Sequence, residues 1–248
     1  MSSNVSETRR LINMVVFTVL VYSATVVLQI YQPATGGYFN LGESMIYLAA
    51  LLTEPIVAAV AGGLGAALAD VSTGYGIFAP GTLVIKFVEG YMAGYLTRRL
   101  SKVYKSYYSM IAGGSLTTSL LILGIVMYSG EVYVGPGEWI GISINTPILN
   151  IPIWIWIILA FSIGGIATYS LSRNMVNFSE ALSLFIAGLI MVAGYFLYEF
   201  FVVNPLTQRP PINAVFEVPV NIGQALVGLA TAIPVASWLR RAGFSGKE

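Results

Sequence analysis

Long apolar runs separated by short polar segments extend through the whole chain. The apolar blocks cover residues 11–30, 41–69, 82–97, 107–128, 148–171, 181–203 and 215–239. About 20 consecutive apolar residues are enough for an α-helix to cross a bilayer. The first block is longer than the core of a signal peptide and no A-x-A cleavage site follows it, so we interpret it as a retained span. The pattern therefore predicts an all-α membrane protein.

The second block, residues 41–69, is too long for one straight span. A helix of that length would measure about 43 Å, against a hydrocarbon core of about 30 Å. Thr53-Glu54-Pro55 interrupts the block, and proline disfavours the helical conformation of the residue before it. The block is therefore either one tilted, kinked helix or a hairpin of two short helices.

The distribution of basic residues favours the hairpin, because lysine and arginine collect in cytoplasmic loops. A hairpin gives eight spans and places these residues on one side: Arg9, Arg10, Arg98, Arg99, Lys102, Lys105, Arg173, Arg240, Arg241 and Lys247. Arg209 alone lies opposite. A single helix would separate the first two arginines from the other eight residues. We therefore predict a multi-pass protein of the cell membrane with eight spans and both termini in the cytoplasm.

The amino-acid composition excludes several kinds of functional site. Charged residues make up 9% of the chain, against about 25% in an ordinary soluble domain. Cysteine and histidine are absent, which excludes disulfides, thiolate metal sites, cysteine nucleophiles and histidine proton relays. We predict no metal site. The G-x-x-x-x-G-K-[ST] motif of P-loops is also absent, so we expect no cofactor in this chain and any ATP to be used by partner subunits.

Several ionisable residues lie within the apolar blocks, where each costs about 2.5–3.5 kcal/mol at bilayer depth. In the eight-span topology they all fall in the outer half of the membrane, together with an asparagine. The residues concerned are Asn40, Glu43, Asp70, Lys86, Glu89, Glu199 and Glu217. Their segregation predicts a polar site that is loaded from outside.

Two helical spacings suggest specific roles. Lys86 and Glu89 are three residues apart, so they either form a buried ion pair or leave the lysine free to donate to a ligand. Glu217, Asn221 and Gln224 share one helical stripe, where they either read the edge of a heterocycle or join helices by hydrogen bonds.

Aromatic residues flank the same region, and two polar residues have local alternatives. The aromatic set, which either stacks on a flat ligand or marks the membrane interface, is Tyr38, Phe39, Tyr47, Tyr75 and Phe78. Asp70 could instead cap the following turn, and Asn40 could be the N-cap of the second span.

Two stretches of sequence carry a family resemblance. The first is GGYFNLGESMIYLAALL (36–52) with GGLGAALADVSTGYGIFAPGTLVIKFVEGYMAGYL (62–96), which contains N-L-G-[D/E], A-D, G-Y and P-x-T-x-x-I-K in order. The second is GLIMVAGYFLYEFF (188–201) with AVFEVPVNIGQALVGLATAIP (214–234). Both resemble substrate-binding (S) components of energy-coupling-factor (ECF) vitamin transporters, in the riboflavin or hydroxymethylpyrimidine branch.

The resemblance implies a six-helix bundle with an externally open vitamin pocket, which associates with a transmembrane coupling subunit and two ATPase subunits. The implied substrate-binding residues are Asn40, Glu43, Asp70, Tyr75, Thr82, Lys86, Glu217, Asn221 and Gln224, and we add Glu89 as the neighbour of the lysine. We interpret residues 1–248 as one membrane domain, with core helices in 11–97 and 181–239. Residues 106–175 then form an inserted two-helix hairpin. Span 1 lacks the A-x-x-x-A face that many S components present to the coupling subunit.

Three functions follow for comparison. The leading hypothesis is capture of riboflavin or a thiamin-pathway pyrimidine for ATP-driven import. The alternative is a stand-alone transporter or channel in which spans 5 and 6 (residues 107–128 and 148–171) replace the partner. An intramembrane enzyme would have to use carboxylates alone, for instance Asp70 with Glu43, and we predict that the protein is not an enzyme.

Overall fold

The computed structural model of the protein describes residues 2–100, 106–172 and 178–244. Its α-helices are α1 (Ser2–Val27), α2 (Gly42–Leu52), α3 (Pro55–Ser72), α4 (Ala79–Arg99), α5 (Ser106–Ile122), α6 (Ile153–Ser172), α7 (Phe178–Tyr198), the single turn α8 (Asn204–Leu206) and α9 (Glu217–Arg241). Short strands join them: β1 (Ile30–Tyr31), β2 (Tyr38–Phe39), β3 (Gly130–Tyr133), β4 (Glu138–Trp139), β5 (Ile142–Ser143) and β6 (Ile148–Ile151). The prediction of a mainly helical protein is confirmed.

The break in the second apolar block is confirmed. Helix α2 ends at Leu52, Thr53 is extended, and α3 begins at Pro55. Proline suits this first helical position because its missing N–H would be unpaired there in any case. With 11 residues, α2 is about 16 Å long, roughly half the thickness of the hydrocarbon core.

Helix α2 lies at the centre of the bundle, and nearly all of its residues are buried. A helix that is apolar all round is one that is enclosed by others. Its side chains Ile46, Leu51 and Leu52 pack in the main core with residues of α1, α3 and α9. Close helix contacts depend on small residues: a Cβ at Gly62 of α3 would lie 2.9 Å from the carbonyl oxygen of Lys86 on α4.

Within the described residues, four segments are long and apolar enough to cross a membrane. They are Ser6–Val27, Pro55–Ser72, Phe178–Leu206 and Pro211–Arg241. Shorter apolar helices cover Gly42–Leu52, Gly113–Met127 and Ile153–Tyr169. These helices make the chain a multi-pass membrane protein, whereas the count of eight spans stays a prediction.

Helices α5 and α6 form an antiparallel hairpin beside α9. The sheet pair β3–β6 continues the hairpin above the helices, and a π-helical turn at Leu123–Met127 ends α5. Leu116, Leu120 and Ala160 of the hairpin pack on Leu226 of α9. The division into a six-helix core with an inserted hairpin remains a prediction, and residues 173–175 of that predicted insertion lie outside the described residues.

Basic residues meet at one end of the bundle, around the end of α2. Arg98 donates hydrogen bonds to the carbonyl oxygens of Ala50 and Thr53. Arg240 donates to the carbonyl oxygen of Leu51, and Arg10 of α1 lies 3.8 Å from Glu54. The first and last helices thus bring their arginines to the same end, as the hairpin topology requires. Which side of the membrane this end faces stays a prediction, and Lys102, Lys105, Arg173 and Lys247 lie outside the described residues.

Candidate ligand-binding site

A small polar cavity lies at the opposite end of the bundle, where α2, α4 and α9 begin and α3 and α7 end. Eight of its lining residues are Asn40, Glu43, Asp70, Thr82, Lys86, Glu217, Asn221 and Gln224. Its other lining residues include Thr25, Gly37, Tyr38, Phe78, Tyr195 and Glu199. The cavity volume is about 30 Å³, well below the range of about 300–1,000 Å³ that ligand pockets usually have.

A buried ion cluster forms the floor of this cavity. Lys86 of α4 makes an ion pair with Glu43 of α2 and a second one, of 3.3 Å, with Glu89 one turn along its own helix. The hydroxyl of Tyr47 donates to Glu89 at 2.9 Å, and the ring of Tyr195 lies 5.3 Å from the lysine nitrogen. The lysine is therefore held by two carboxylates, and it fixes the position of the glutamate that faces the cavity.

A chain of amides joins the loop before α2 to helix α9. The side chain of Asn40 donates to Gln224 Oε1 at 2.7 Å, and its backbone N–H donates to the same oxygen at 3.3 Å. Gln224 in turn donates to Asn221 Oδ1 at 2.9 Å. The oxygen of Asn40 accepts from the backbone N–H of Gly42 at 2.8 Å. Asn40 is therefore not the N-cap of α2, which is Leu41, but it contacts the first residue of the helix and lines the cavity.

Glu217 is held by the loop between β1 and β2. Thr35 donates its hydroxyl to Glu217 Oε2 at 2.5 Å, and its backbone oxygen accepts from Arg209. The loop can turn here because Gly36 adopts a positive φ of 77°, a conformation that glycine reaches at no steric cost. The first residue of α9 is therefore tied to the outer rim.

Asp70 faces the cavity near the end of α3. Its Oδ1 accepts from the hydroxyl of Tyr38 at 2.6 Å, so its side chain serves the site, whereas its backbone oxygen accepts from the N–H of Tyr75 in the following turn. The rings of Tyr38 and Tyr75 lie 4.4 Å apart between centroids. This pair covers the outer face of the cavity.

Glu199 and Tyr195 line the cavity but were not among the residues predicted to bind substrate, although Glu199 was counted in the predicted polar cluster. Glu199 begins a π-helical turn, Glu199–Val203, at the end of α7, and π turns occur frequently at functional sites. Tyr195 donates to the hydroxyl of Thr82 at 3.0 Å. The acidic residue itself was visible as a charge inside an apolar block, but the α-helical period does not give the direction of a side chain in a π turn.

Of the ten residues predicted to bind substrate, eight line the cavity. Glu89 lies beneath it, fully buried against Lys86 and Tyr47. Tyr75 lies outside it, behind Tyr38. Contact of any of the ten with a ligand stays a prediction, because proximity alone does not establish binding.

More acidic than basic side chains line the cavity. Four lining carboxylates (Glu43, Asp70, Glu199 and Glu217) are each at most 4% exposed, and Lys86 is the lining cation. Among the described residues, the lining atoms that have neither a hydrogen-bond partner nor an ion-pair partner are Glu43 Oε2, Asp70 Oδ2, Glu199 Oε2 and Asn221 Nδ2. Gln29, Tyr128 and Asn204, which lie outside the lining, each have one unpaired buried atom as well. Native proteins satisfy nearly all buried polar atoms. The cavity lining therefore presents both unpaired acceptors and an unpaired donor.

Comparison with known proteins agrees with the resemblance. The family model for the ECF-type riboflavin transporter S component matches residues 5–138, which is more than half of the chain. A Pyrococcus woesei protein described as an uncharacterized protein in gap 3'region is 42% identical over 113 residues, which cover 46% of this chain and 72% of that protein. No solved structure matches the chain.

Proposed function

We propose, on the premise that this chain belongs to the family of ECF-type riboflavin transporter S components, that its enclosed polar cavity captures a vitamin from outside the cell for import. The family is a transporter component and not an enzyme class. The chain is accordingly the membrane-embedded substrate-binding subunit of such a transporter. The identity of the vitamin and the coupling to ATP are the parts that we propose.

One observation carries the proposal: polar side chains of α2, α3, α4, α7 and α9 converge on one cavity and leave buried atoms unpaired. A purely structural network would satisfy its own members, because an unpaired buried polar group costs about 1–3 kcal/mol. A ligand that returns these hydrogen bonds recovers that cost on binding. The cavity is thus suited to a solute with several polar groups at fixed positions.

The unpaired atoms also favour a class of ligand. Three of them are carboxylate oxygens, which accept hydrogen bonds, and one is an amide nitrogen, which donates. A neutral ligand rich in N–H and O–H groups complements this set better than an anion does. Riboflavin offers hydroxyl groups on its side chain and a ring imide, and a thiamin-pathway aminopyrimidine offers an exocyclic amine. Both remain in the proposal, and the family match favours riboflavin.

A small free volume implies that the site opens to admit such a ligand. The cavity volume is about 30 Å³, whereas ligand pockets usually measure about 300–1,000 Å³. The β1–β2 loop and the Tyr38–Tyr75 pair cover the outer face. Tyr38 lies in the short strand β2 and Tyr75 in the turn after α3, so neither belongs to a helix of the bundle. We propose that these loops move outward to admit the vitamin.

Membership of the family implies other ECF transporter subunits as partners. We propose a transmembrane coupling subunit and two ATPase subunits, because this chain has no P-loop motif of its own. The alternative, transport without an ATPase, is tested by uptake into vesicles that contain only this chain. Accumulation of riboflavin there, without ATP and without partners, would contradict the coupled mechanism.

Binding is tested by titrating the purified full chain in detergent with riboflavin and, separately, with hydroxymethylpyrimidine. We expect one of the two to bind with a dissociation constant of micromolar or lower. We also expect Glu217→Gln to weaken binding, because this carboxylate lines the cavity and is held in place by Thr35. Thr207→Val is a matched control, since Thr207 is exposed and donates only within its own helical turn. Binding of neither compound would refute the proposed substrate class.

A further inference from the structure

A second cavity lies outside the polar one, at the rim of the molecule. We call it the outer vestibule. Its lining residues are Tyr31, Pro33, Tyr75, Tyr133, Gly135, Gly137 and Thr146. Its volume is about 530 Å³, which lies within the range of about 300–1,000 Å³ that small-molecule sites occupy. The vestibule is therefore large enough for a flat ring system that the inner cavity is too small to hold.

Three tyrosines from different parts of the chain give the vestibule its chemistry. Tyr31 belongs to β1, Tyr75 to the turn after α3, and Tyr133 to β3. Tyr133 is 43% exposed, so its ring faces open space. Burial and the neighbouring Tyr31 raise the pKa of Tyr75 to about 12, so this side chain is a neutral phenol at physiological pH.

The segment between β3 and β6 forms one wall of the vestibule and is fastened to the helix bundle. The N–H of Gly135 donates to the carbonyl oxygen of Gln29 at 2.7 Å, and the N–H of Ile140 donates to that of Ser72 at 2.7 Å. Val134 also forms an antiparallel bridge with Ile30. The wall is thus tied to the ends of both α1 and α3, which makes it a fixed part of the entrance.

The vestibule and the inner cavity meet at one pair of rings. Tyr75 lines the vestibule and Tyr38 lines the inner cavity, and their centroids are 4.4 Å apart. Tyr38 is anchored by its hydrogen bond to Asp70. The two rings thus separate the vestibule from the inner cavity.

We propose that Tyr31, Tyr75 and Tyr133 form an entry subsite, in which the flat ring of the vitamin stacks before it passes the Tyr38–Tyr75 pair. Aromatic rings attract flat heterocycles through offset stacking and apolar contact. Capture is then a two-step process, with fast stacking outside and slower insertion inside. The segment between α5 and α6 thereby acquires a function in binding. The identity of the ligand in this inference rests on the proposed function.

The test measures the kinetics of riboflavin binding to the full chain in detergent, by stopped-flow detection of flavin fluorescence. Tyr133→Ala should lower the association rate constant about tenfold, because it removes one stacking surface. The dissociation rate constant should change less than about twofold, because release is limited by the inner step. Tyr133→Phe keeps the ring and should behave as the original chain does.

Tyr91→Ala is the matched control, because Tyr91 is an exposed tyrosine of α4 whose ring stacks only on Tyr95 among the ring pairs of the described chain. It should alter neither rate constant. An unchanged association rate in Tyr133→Ala, with normal binding by the original chain, would overturn the entry subsite and leave the proposed function intact. Absence of riboflavin binding by the original chain would overturn the proposed ligand, and the subsite for that ligand with it.

Discussion

Lys86 on α4 and Glu43 on α2 form an ion pair in which the two side chains are 3% and 1% exposed. The pair joins the central short helix to a neighbour at the level of the cavity. Glu89 adds a second carboxylate to the same lysine. Removal of one partner from a buried pair leaves an uncompensated charge, which costs about 3–5 kcal/mol.

The first prediction concerns this lysine. Lys86→Met should destabilise the protein by about 3–5 kcal/mol, because two buried carboxylates lose their counter-charge. Thermal unfolding of the detergent-solubilised protein measures the effect. The double substitution Lys86→Met with Glu43→Gln should be less destabilising than the single one, because one of the stranded charges is also removed.

Arg99→Met provides the control for the loss of a cation from the same helix. Arg99 is exposed at the end of α4 and lies over the ring of Tyr95, so its loss should cost less than about 1 kcal/mol. A Lys86→Met protein as stable as the original would show that the ion cluster does not hold α2 and α4 together.

Sequence reasoning located most of this cluster but not its connectivity. The spacing of Lys86 and Glu89 left open an ion pair on one helix face or a lysine that is free to donate to a ligand, and the structure has the ion pair. The pairing of Lys86 with Glu43 depends on how α2 packs against α4, which no local spacing encodes. Charge inside an apolar block is therefore a good signal for a residue of the site, but not for its partner.

Local helix breaks can likewise be predicted from the sequence, whereas contacts between distant segments cannot. Pro55 indicated an interruption of the second apolar block, because its effect on the backbone is local, but the choice of a hairpin over a kinked helix required the distribution of basic residues. The contact of Thr35 with Glu217 joins residues 182 positions apart. The small and polar residues of the β1–β2 loop give no sequence signal for this contact. The hydrogen bonds that tie the wall of the vestibule to the ends of α1 and α3 are also tertiary, so no local pattern predicts them.

The second prediction concerns the amide chain. Asn40→Ala should weaken the binding of riboflavin at least about tenfold, because Gln224 Oε1 loses both its side-chain donor and its orientation. The loss should appear as faster dissociation, in contrast to the slower association expected for Tyr133→Ala. Stopped-flow fluorescence measures both rate constants. Asn150→Ala, an exposed asparagine of β6, is the control and should change neither.

The third prediction concerns the charge of the ligand. Riboflavin 5′-phosphate should bind at least about 100-fold more weakly than riboflavin, because like charges brought together in a binding site cost several kcal/mol. The phosphate would enter a cavity with four carboxylates and one lysine. Both compounds carry the same ring, so one fluorescence titration measures both.

Glu217→Gln tests whether repulsion by the lining carboxylates causes the weaker binding of riboflavin 5′-phosphate. This substitution removes one negative charge from the cavity wall, so it should narrow the difference between the two ligands. Equal affinities for riboflavin and its phosphate in the original chain would show that the lining carboxylates do not repel the ligand, and the preference for a neutral vitamin would be wrong.

The fourth prediction links helix packing to the site. In Gly62→Ala, the new Cβ would lie 2.9 Å from the carbonyl oxygen of Lys86 and 3.3 Å from the side chain of Ile46. The first neighbour is backbone, so α4 must move away from α3 at the residue that holds the ion cluster. We expect a loss of about 1–3 kcal/mol of stability from this overpacking, together with weaker riboflavin binding.

Gly165→Ala in α6 meets open space and should be neutral or stabilising, since alanine favours a helix over glycine by about 1 kcal/mol. Thermal unfolding and riboflavin titration of both variants provide the comparison, and a Gly62→Ala protein that matches Gly165→Ala in both would mean that α3 and α4 are not packed as closely as described.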